Sequence, residues 1–289
     1  MKKVILITGT STGLGLAIAV QAAQAGHTVY ATMRNIEKRG TLDEAARNAG
    51  VSLDLLQLDV RDSASVLLAV EAVITRHGRV DVLINNAGVG YVRSLEQADE
   101  TEIQSILDIN YMGVVRCIKA VIPHMRQARA GHIVNITSVG GLVGQPFNEI
   151  YCGAKFAVEG LTESMASYIT PAFGIRFTAV EPGGIASEFA NSVRANMEAS
   201  GGLLDDEYLP ILQKYVAGAQ TRRDDGAFQT ADDVAQVVMQ VITTKKTPVR
   251  IRTSDWAEEF AGLKTGLDPD GNKLRRLVME RFLDETATD

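Results

Sequence analysis

Along residues 1–185, short apolar runs alternate with helix-patterned segments, and no other feature narrows the possible folds as much. The runs at 4–8, 28–33, 53–59, 80–85, 132–137 and 175–181 are rich in Val, Ile and Leu. Most lack the apolar–polar alternation of a half-exposed strand, as expected for strands covered on both faces. Helical patterns fill the gaps at 14–24, 63–76, around 108–126 and at 151–169. In the last, Ala154, Val158, Leu161 and Met165 recur at helical spacing, and Pro171 marks its end. Alternation at this interval predicts β-α-β units with right-handed crossovers, hence a doubly wound parallel α/β sheet.

The rhythm breaks at residues 187–230, where 188–200 and 206–218 read as helical around Gly201-Gly202. An excursion of that length inside a compact domain predicts a helical lid over a binding site. A helix–strand unit follows (232–243, then 249–252), and a polar helical tail occupies about 253–289. Neither a linker nor a repeat divides the chain, so residues 1–289 are expected to form a single domain. With 46% hydrophobic residues it can bury enough surface to offset its ordering entropy, which excludes intrinsic disorder.

Charge and cysteine usage exclude further classes. Twenty-nine Lys+Arg against 35 Asp+Glu give a net charge of -6, so no nucleic acid partner is expected. Cys117 and Cys152 cannot build a disulfide framework. His27, His77, His124 and His132 are scattered without metal-ligand spacing, so they are read as surface or helix-end residues and no metal is expected. Lys2-Lys3 before an apolar run resembles a signal peptide start, but the run stops after four residues. No uninterrupted apolar stretch of about 18 residues occurs, so no membrane span is expected, and a cytoplasmic location fits.

Three constellations carry chemistry. The first is Thr8-Gly9-Thr10-Ser11-Thr12-Gly13-Leu14-Gly15, directly after the first strand and opening the first helix. Glycines there let the backbone turn tightly and approach a pyrophosphate, which backbone N–H groups and the positive helix end stabilise. The spacing G-x-x-x-G-x-G differs from the common G-x-G-x-x-G of dinucleotide-binding loops.

The second lies at the end of the second strand. NAD-binding folds place an acidic residue about 20 positions beyond the glycines to hold the ribose 2′-OH. Here no acidic residue occurs from Leu16 through Ile36, and Met33-Arg34 stands at the strand end. A carboxylate would repel a 2′-phosphate, whereas Arg34 can pair with it, so NADP(H) is the expected cofactor. The third is Ser138, Tyr151 and Lys155, the latter two four apart on one helix face. A nearby ammonium is expected to stabilise the tyrosine's phenolate, and the serine hydroxyl to bond a substrate oxygen gaining negative charge.

Together these residues resemble the short-chain dehydrogenase/reductase family. The match comprises Thr8-Gly-x3-Gly-x-Gly15, Asn85-Asn86-Ala87-Gly88, Asn110, Ser138, Tyr151-x3-Lys155 and Pro182-Gly183, in the family's order over about residues 3–190. The resemblance implies a Rossmann-type domain with Tyr151 as general acid-base. It implies that Lys155 binds the nicotinamide ribose and lowers the Tyr151 pKa, that Ser138 orients the substrate oxygen, and that Asn110 holds a proton-relaying water. It also implies cofactor contacts from Gly9, Ser11, Thr12, Gly13, Leu14, Gly15 and Arg34. Further contacts are implied from Asp59 and Val60 at the adenine, Asn86, Ala87 and Gly88 beside its ribose, and Pro182, Gly183, Ile185 and Ser187 at the nicotinamide.

The segments 30–34, 58–62 and especially 138–151 look like one branch of that family, which contains 17β-hydroxysteroid dehydrogenases of type 1 and photoreceptor-type retinol dehydrogenases. That likeness implies an NADP(H)-dependent alcohol dehydrogenase or carbonyl reductase for bulky apolar substrates, steroid-, retinoid- or lipid-like. Phe189 and Met197 are candidate cavity residues in the lid. Homo-oligomers, dimer or tetramer, are implied through the helices around Asn110 and Tyr151. A 3-oxoacyl-carrier-protein-type reductase stands as an alternative on Arg126, Arg129, Arg222 and Arg223, although the net charge of -6 disfavours an acidic carrier. A catalytically silent NADP(H) sensor is a second alternative, disfavoured by the intact Ser138, Tyr151 and Lys155.

Overall fold

Strand β1 (Val4–Ile7) is buried along its whole length, as its unbroken apolar run requires. The computed structural model describes residues 1–186 and 202–283, together with 193, 197 and 198. After β1 come α1 (Gly13–Gln24), β2 (Thr28–Met33), α2 (Gly40–Asn48), β3 (Asp54–Gln57), α3 (Ser63–His77) and β4 (Val82–Asn85). Then follow α4 (Glu100–Leu107), a π-helical turn (Asp108–Met112), α5 (Gly113–Ala128), β5 (Gly131–Ile136), α6 (Glu149–Phe173) and β6 (Ile175–Glu181). The remainder supplies β7 (Ile185–Ala186), α7 (Leu209–Asp224), β8 (Gln229–Thr230), α8 (Ala231–Thr243), β9 (Arg250–Arg252), α9 (Asp255–Thr265) and α10 (Asn272–Leu283).

Seven strands form one parallel sheet in the order β3-β2-β1-β4-β5-β6-β9. Leu6 pairs with Tyr30 on one side and with Leu83 on the other. The strand order reverses between β1 and β4, and ligands of such sheets bind at that switch point, beyond the carboxyl ends of the strands. Each face of the sheet has its own core. Leu6, Leu83 and Ile133 pack with α3, α5 and α6, and Ile5, Ile7 and Ile84 pack with α1 and α8. This is the doubly wound Rossmann-type arrangement expected from the alternation.

Differences from the sequence reading have local causes. Helix α2 buries only Leu42 and Ala46, too narrow a stripe to announce itself. The helix expected around 108–126 extends back through α4, because Asp99 caps it by accepting from Thr101 N at 2.8 Å. Pro171 lies inside α6 rather than ending it; Gly174, at φ 70°, closes the helix. His132 is not a surface residue: it is fully buried in β5, its Nε2 hydrogen-bonded with Thr178 Oγ1 at 3.0 Å. Ser187, Phe189, most of the helix expected at 188–200 and the last residues of the tail lie outside the described residues. Among the described residues no helix is long and apolar enough to cross a membrane.

Candidate active site

The carboxyl ends of β1, β2, β4, β5 and β6 deliver nearly all the expected residues to one edge of the sheet. The glycine loop is shaped from β4. Asn86 Nδ2 donates to Thr8 O at 2.9 Å and Gly9 O at 2.8 Å, and Thr8 Oγ1 accepts from the N–H groups of Asn86 and Ala87. Gly9 has φ +71° with Ala87 directly beneath it, and a Cβ on Gly15 would run into Gly9 O. Only glycine fits at either position. Asn86 and Ala87, expected beside the adenine ribose, also hold the loop in shape.

The start of α1 fits an anion. Helices α3, α4, α8 and α9 are capped by the side chains of Asp62, Asp99, Thr230 and Ser254. Helix α1 has no such bond from Thr12 and no acidic residue in its first turn, and Leu14 is buried to anchor it. Its first N–H groups and positive end thus face the loop that Gly9, Ser11 and Gly13 line. Pyrophosphate chemistry suits that cradle.

At the end of β2, Met33 turns into the core while Arg34 is exposed. Only Arg34 of the pair can meet a ligand. Asp59 forms an ion pair with Arg61 at 2.8 Å, and its N–H donates to Ser65 Oγ. The Arg61 hydrogen bond holds its carboxyl below the usual carboxylate range, with Arg34 contributing less. Arg61, which the motif reading missed, therefore adds a second guanidinium here. Val60 packs against Gly113, where a Cβ would meet it at 2.9 Å, so the stretch after β3 seats directly on α5.

The reacting groups converge between β5 and α6. Ser138 follows β5 and its Oγ accepts from Gly140 N at 3.0 Å. Tyr151, in the first turn of α6, is half-buried and hydrogen-bonded to Ser138. Burial pushes its phenol up to about 12, against the pull of that bond. Lys155 lies one turn further, its Nζ 5.7 Å from the Tyr151 ring centroid and donating to Ile136 O at 2.9 Å. Burial pulls its ammonium down to about 8, with Glu159 opposing. The expected lowering of Tyr151 by Lys155 is not what this geometry produces, because desolvation outweighs every other influence on the phenol.

Asn110 is fully buried in the π-helical turn and clamps Val89, accepting from its N–H and donating to its carbonyl, both at 2.8 Å. Such widened turns recur at functional sites. Its Oδ1 and Lys155 Nζ both flank Gly88, where a Cβ would meet them at 3.0 and 3.7 Å. On the far side, Pro182 O accepts from Val139 N at 2.9 Å, joining the Ser138 turn to the Pro182-Gly183 turn. Gly183 packs on the Trp256 ring, and Ile185 pairs with Gln229 in a two-stranded ribbon.

Several residues around the substrate side carried no motif. Tyr215 of α7 accepts from Asn148 Nδ2 at 2.8 Å and packs on Phe147, 6.1 Å between ring centroids. Its position in the expected 206–218 helix was the only available signal. Met197, a lid candidate, lines a small cavity with Val92, Leu203 and Leu212. Cys152 is a buried packing residue whose thiol burial raises.

A sequence profile of the short chain dehydrogenase family matches residues 3–198, and the chain belongs to that family. Retinol dehydrogenase 8 of Bos taurus is 38% identical over 275 residues, spanning 93% of this chain and 87% of its own length. The 17-beta-hydroxysteroid dehydrogenase type 1 of Homo sapiens is 39% identical over 260 residues, 88% of this chain and 78% of its own. Among solved structures, a variant of actinorhodin polyketide ketoreductase with NADPH superposes at a TM-score of 0.75 and 28% identity, over 87% of this chain and 95% of that one. The resemblance read from the motifs is thereby established, and the chain is an oxidoreductase related to steroid and retinol dehydrogenases.

Proposed function

We propose that the chain is an NADP(H)-dependent alcohol dehydrogenase or carbonyl reductase acting on a bulky apolar ketone, aldehyde or alcohol. The observation that carries this is the hydrogen-bonded Ser138–Tyr151 pair, one helical turn from Lys155 and beside the glycine cradle. When bound, the nicotinamide supplies or accepts the hydride. Gly9, Ser11, Gly13 and Gly15 would hold the pyrophosphate, Arg34 and Arg61 would meet the 2′-phosphate, and Pro182, Gly183 and Ile185 would flank the nicotinamide.

Tyr151 keeps its proton at neutral pH, since burial favours the neutral phenol, so it is armed to protonate a carbonyl oxygen. Ser138 orients that oxygen and stabilises the charge it gains. Lys155, with its lowered ammonium, is placed to bind the nicotinamide ribose and return the proton, and Asn110 holds the loop beside it. Tyr215, which acts on the Tyr151 phenol, packs on Phe147, and this ring pair beside the reacting groups supports a bulky apolar substrate. The retinol and 17-beta-hydroxysteroid dehydrogenases among the relatives support the same class. Phe156 and Tyr168 of α6 are exposed, which supports self-association through that helix as a dimer or tetramer.

The test is a panel of ketones, steroids, retinoids and acyl thioesters followed at the NADPH absorbance band. Turnover of steroids or retinoids that Tyr151→Phe abolishes is the expected result. Preference for acyl thioesters would assign the carrier-type reductase, and no turnover of any member would leave a cofactor-binding protein without catalysis.

A further inference from the structure

Beneath the reacting groups lies a second cluster that hydride transfer does not itself use. Glu159, one turn beyond Lys155 on α6, is 5% exposed, and Glu181, at the end of β6, is 0% exposed. Their carboxyl groups face each other, each acting on the other within reach of a shared proton. Written as two carboxylates, the pair leaves Glu159 Oε1, Glu159 Oε2 and Glu181 Oε1 buried without a donor. The neighbouring Thr137 hydroxyl reaches Glu159 as well as Val180 O, and its single proton can serve at most one carboxyl oxygen, so the others stay without a donor.

Every charged group that faces the pair is accounted for. From β9, Arg252 donates to Glu181 at 3.1 Å and pairs with Glu258 of α9 at 2.9 Å, while Arg250 pairs with Glu163 of α6. Lys155, the remaining cation on α6, gives a hydrogen bond to Ile136 O. Among the described residues Glu181 thus has its ion-pair partner in Arg252, whereas Arg250 and Lys155 act on Glu159 only at a distance, each bonded elsewhere. Two like charges in contact and out of water cannot both persist, so one carboxyl carries a proton.

The position of the pair gives that proton a consequence. Glu159 supports the turn after Ser138: a Cβ on Gly141 would meet its Cγ at 3.0 Å and Lys155 O at 3.2 Å. Glu181 directly precedes Pro182, whose carbonyl accepts from Val139 N. We propose that Glu159 and Glu181 hold one proton between them, and that this shared proton fastens the helix bearing Tyr151 and Lys155 to the Ser138 and Pro182 turns. Both are positioning residues. Glu159 donates, Glu181 accepts, and Arg252 keeps the acceptor ionised. Removing the proton sets two buried carboxylates against each other and loosens three walls of the site together.

This inference rests on Tyr151 as the reacting group, so one arm of its test is independent of turnover. Infrared spectra of the full chain at neutral pH should show a protonated-carboxyl stretch that shifts in D2O and is missing from Glu159→Gln. The second arm is thermal stability against pH. A carboxyl whose folded pKa is raised binds a proton that the unfolded chain releases, so stability falls as pH rises above about 4.5 toward the folded value. The wild-type midpoint should fall over that range more steeply than that of Glu159→Gln, which keeps a neutral donor.

The third arm is kinetic. Glu159→Leu should lower kcat about 10–100-fold with the KM for NADPH nearly unchanged, as expected when catalytic groups are misplaced. Glu159→Gln should recover most of that loss and shift the alkaline limb of the kcat profile. Absence of the infrared band from the wild type, or its persistence in Glu159→Gln, overturns the shared proton. Full kcat in Glu159→Leu overturns the positioning role. Should that variant fail to fold, an unshifted alkaline limb in Glu159→Gln overturns the role instead. Retained turnover in Tyr151→Phe would instead sink the functional reading while leaving the infrared result standing.

Discussion

The sheet with its covering helices and the segment 202–226 are stabilised in different ways. Ile5, Ile7, Val82, Leu83 and Ile84 are all 0% exposed, locked between two helical layers. Leu203, Leu204, Ile211 and Val216 are 42–54% exposed, and α7 buries only Leu212. Among the described residues, polar bonds tie it to the rest of the fold: Gln97 to Asp206, Tyr208 to Glu96, and Asn148 to Tyr215. A region with few buried apolar contacts opens at low free energy, whereas a close-packed sheet opens only with global unfolding. The sheet is thus a rigid platform, and in the proposed function the segment 202–226 is its more loosely packed cover. In the proposed function, chemistry that needs sub-ångström placement sits on the first, and selection of the substrate falls to the second.

The largest expected effect probes the rigid side. Tyr151→Phe removes only the transferable proton and should lower kcat about 10²–10⁴-fold. Its NADPH affinity, read by fluorescence titration, should stay within about twofold of wild type, because the ring still fills its place. Turnover near the wild-type rate would break the assignment of the platform as the reacting side.

Stability measurements test the contrast itself. Leu83→Ala empties a fully buried site and should cost about 2–5 kcal/mol in urea denaturation. Ile211→Ala, 54% exposed, should stay within about 0.5 kcal/mol. Equal losses at the two positions would erase the distinction between platform and cover.

Arg34→Ala acts at the platform's edge. It should cut a roughly 10–150-fold preference for NADPH over NADH by weakening NADPH alone, as kcat/KM for the two cofactors would read. Because Met33 is buried, Met33→Asp is not a clean inversion of that preference: it would bury a carboxylate and unfold the strand end.

The smallest effect is a pH dependence. Lys155 is pulled down to about 8 in the fold, so between pH 8 and 10.5 the unfolded chain binds a proton that the native chain does not. Stability should therefore rise with pH across that window, and the rise should be missing from Lys155→Met. A parallel course for the two proteins would show that burial does not control this ammonium.

Most of the platform was legible in the chain, because its strands are covered on both faces and their composition announces it. The glycine loop, Arg34, Ser138, Tyr151 and Lys155 were legible for a related reason. Each sits at a strand end or in the first turns of a helix, where local spacing implies spatial direction. Tyr215 and Trp256 were not, since each reaches the site from an element whose docking no local pattern specifies. His132 was misplaced on the same ground: a histidine in an apolar run has no sequence signature of its hydrogen-bond partner on the next strand.

What the sequence determined by itself was the order of elements, the parallel sheet, and the class of chemistry at its carboxyl edge. These follow from periodicity and from residue types at short separations. Only the tertiary structure decided the protonation of the site. It placed Tyr151 in a setting that keeps its proton, drew the ammonium of Lys155 down to about 8, and set Glu159 against Glu181 with too few donors. Those outcomes depend on how much water is excluded around each group and on which charges stand across the gap, and both are properties of packing between distant segments.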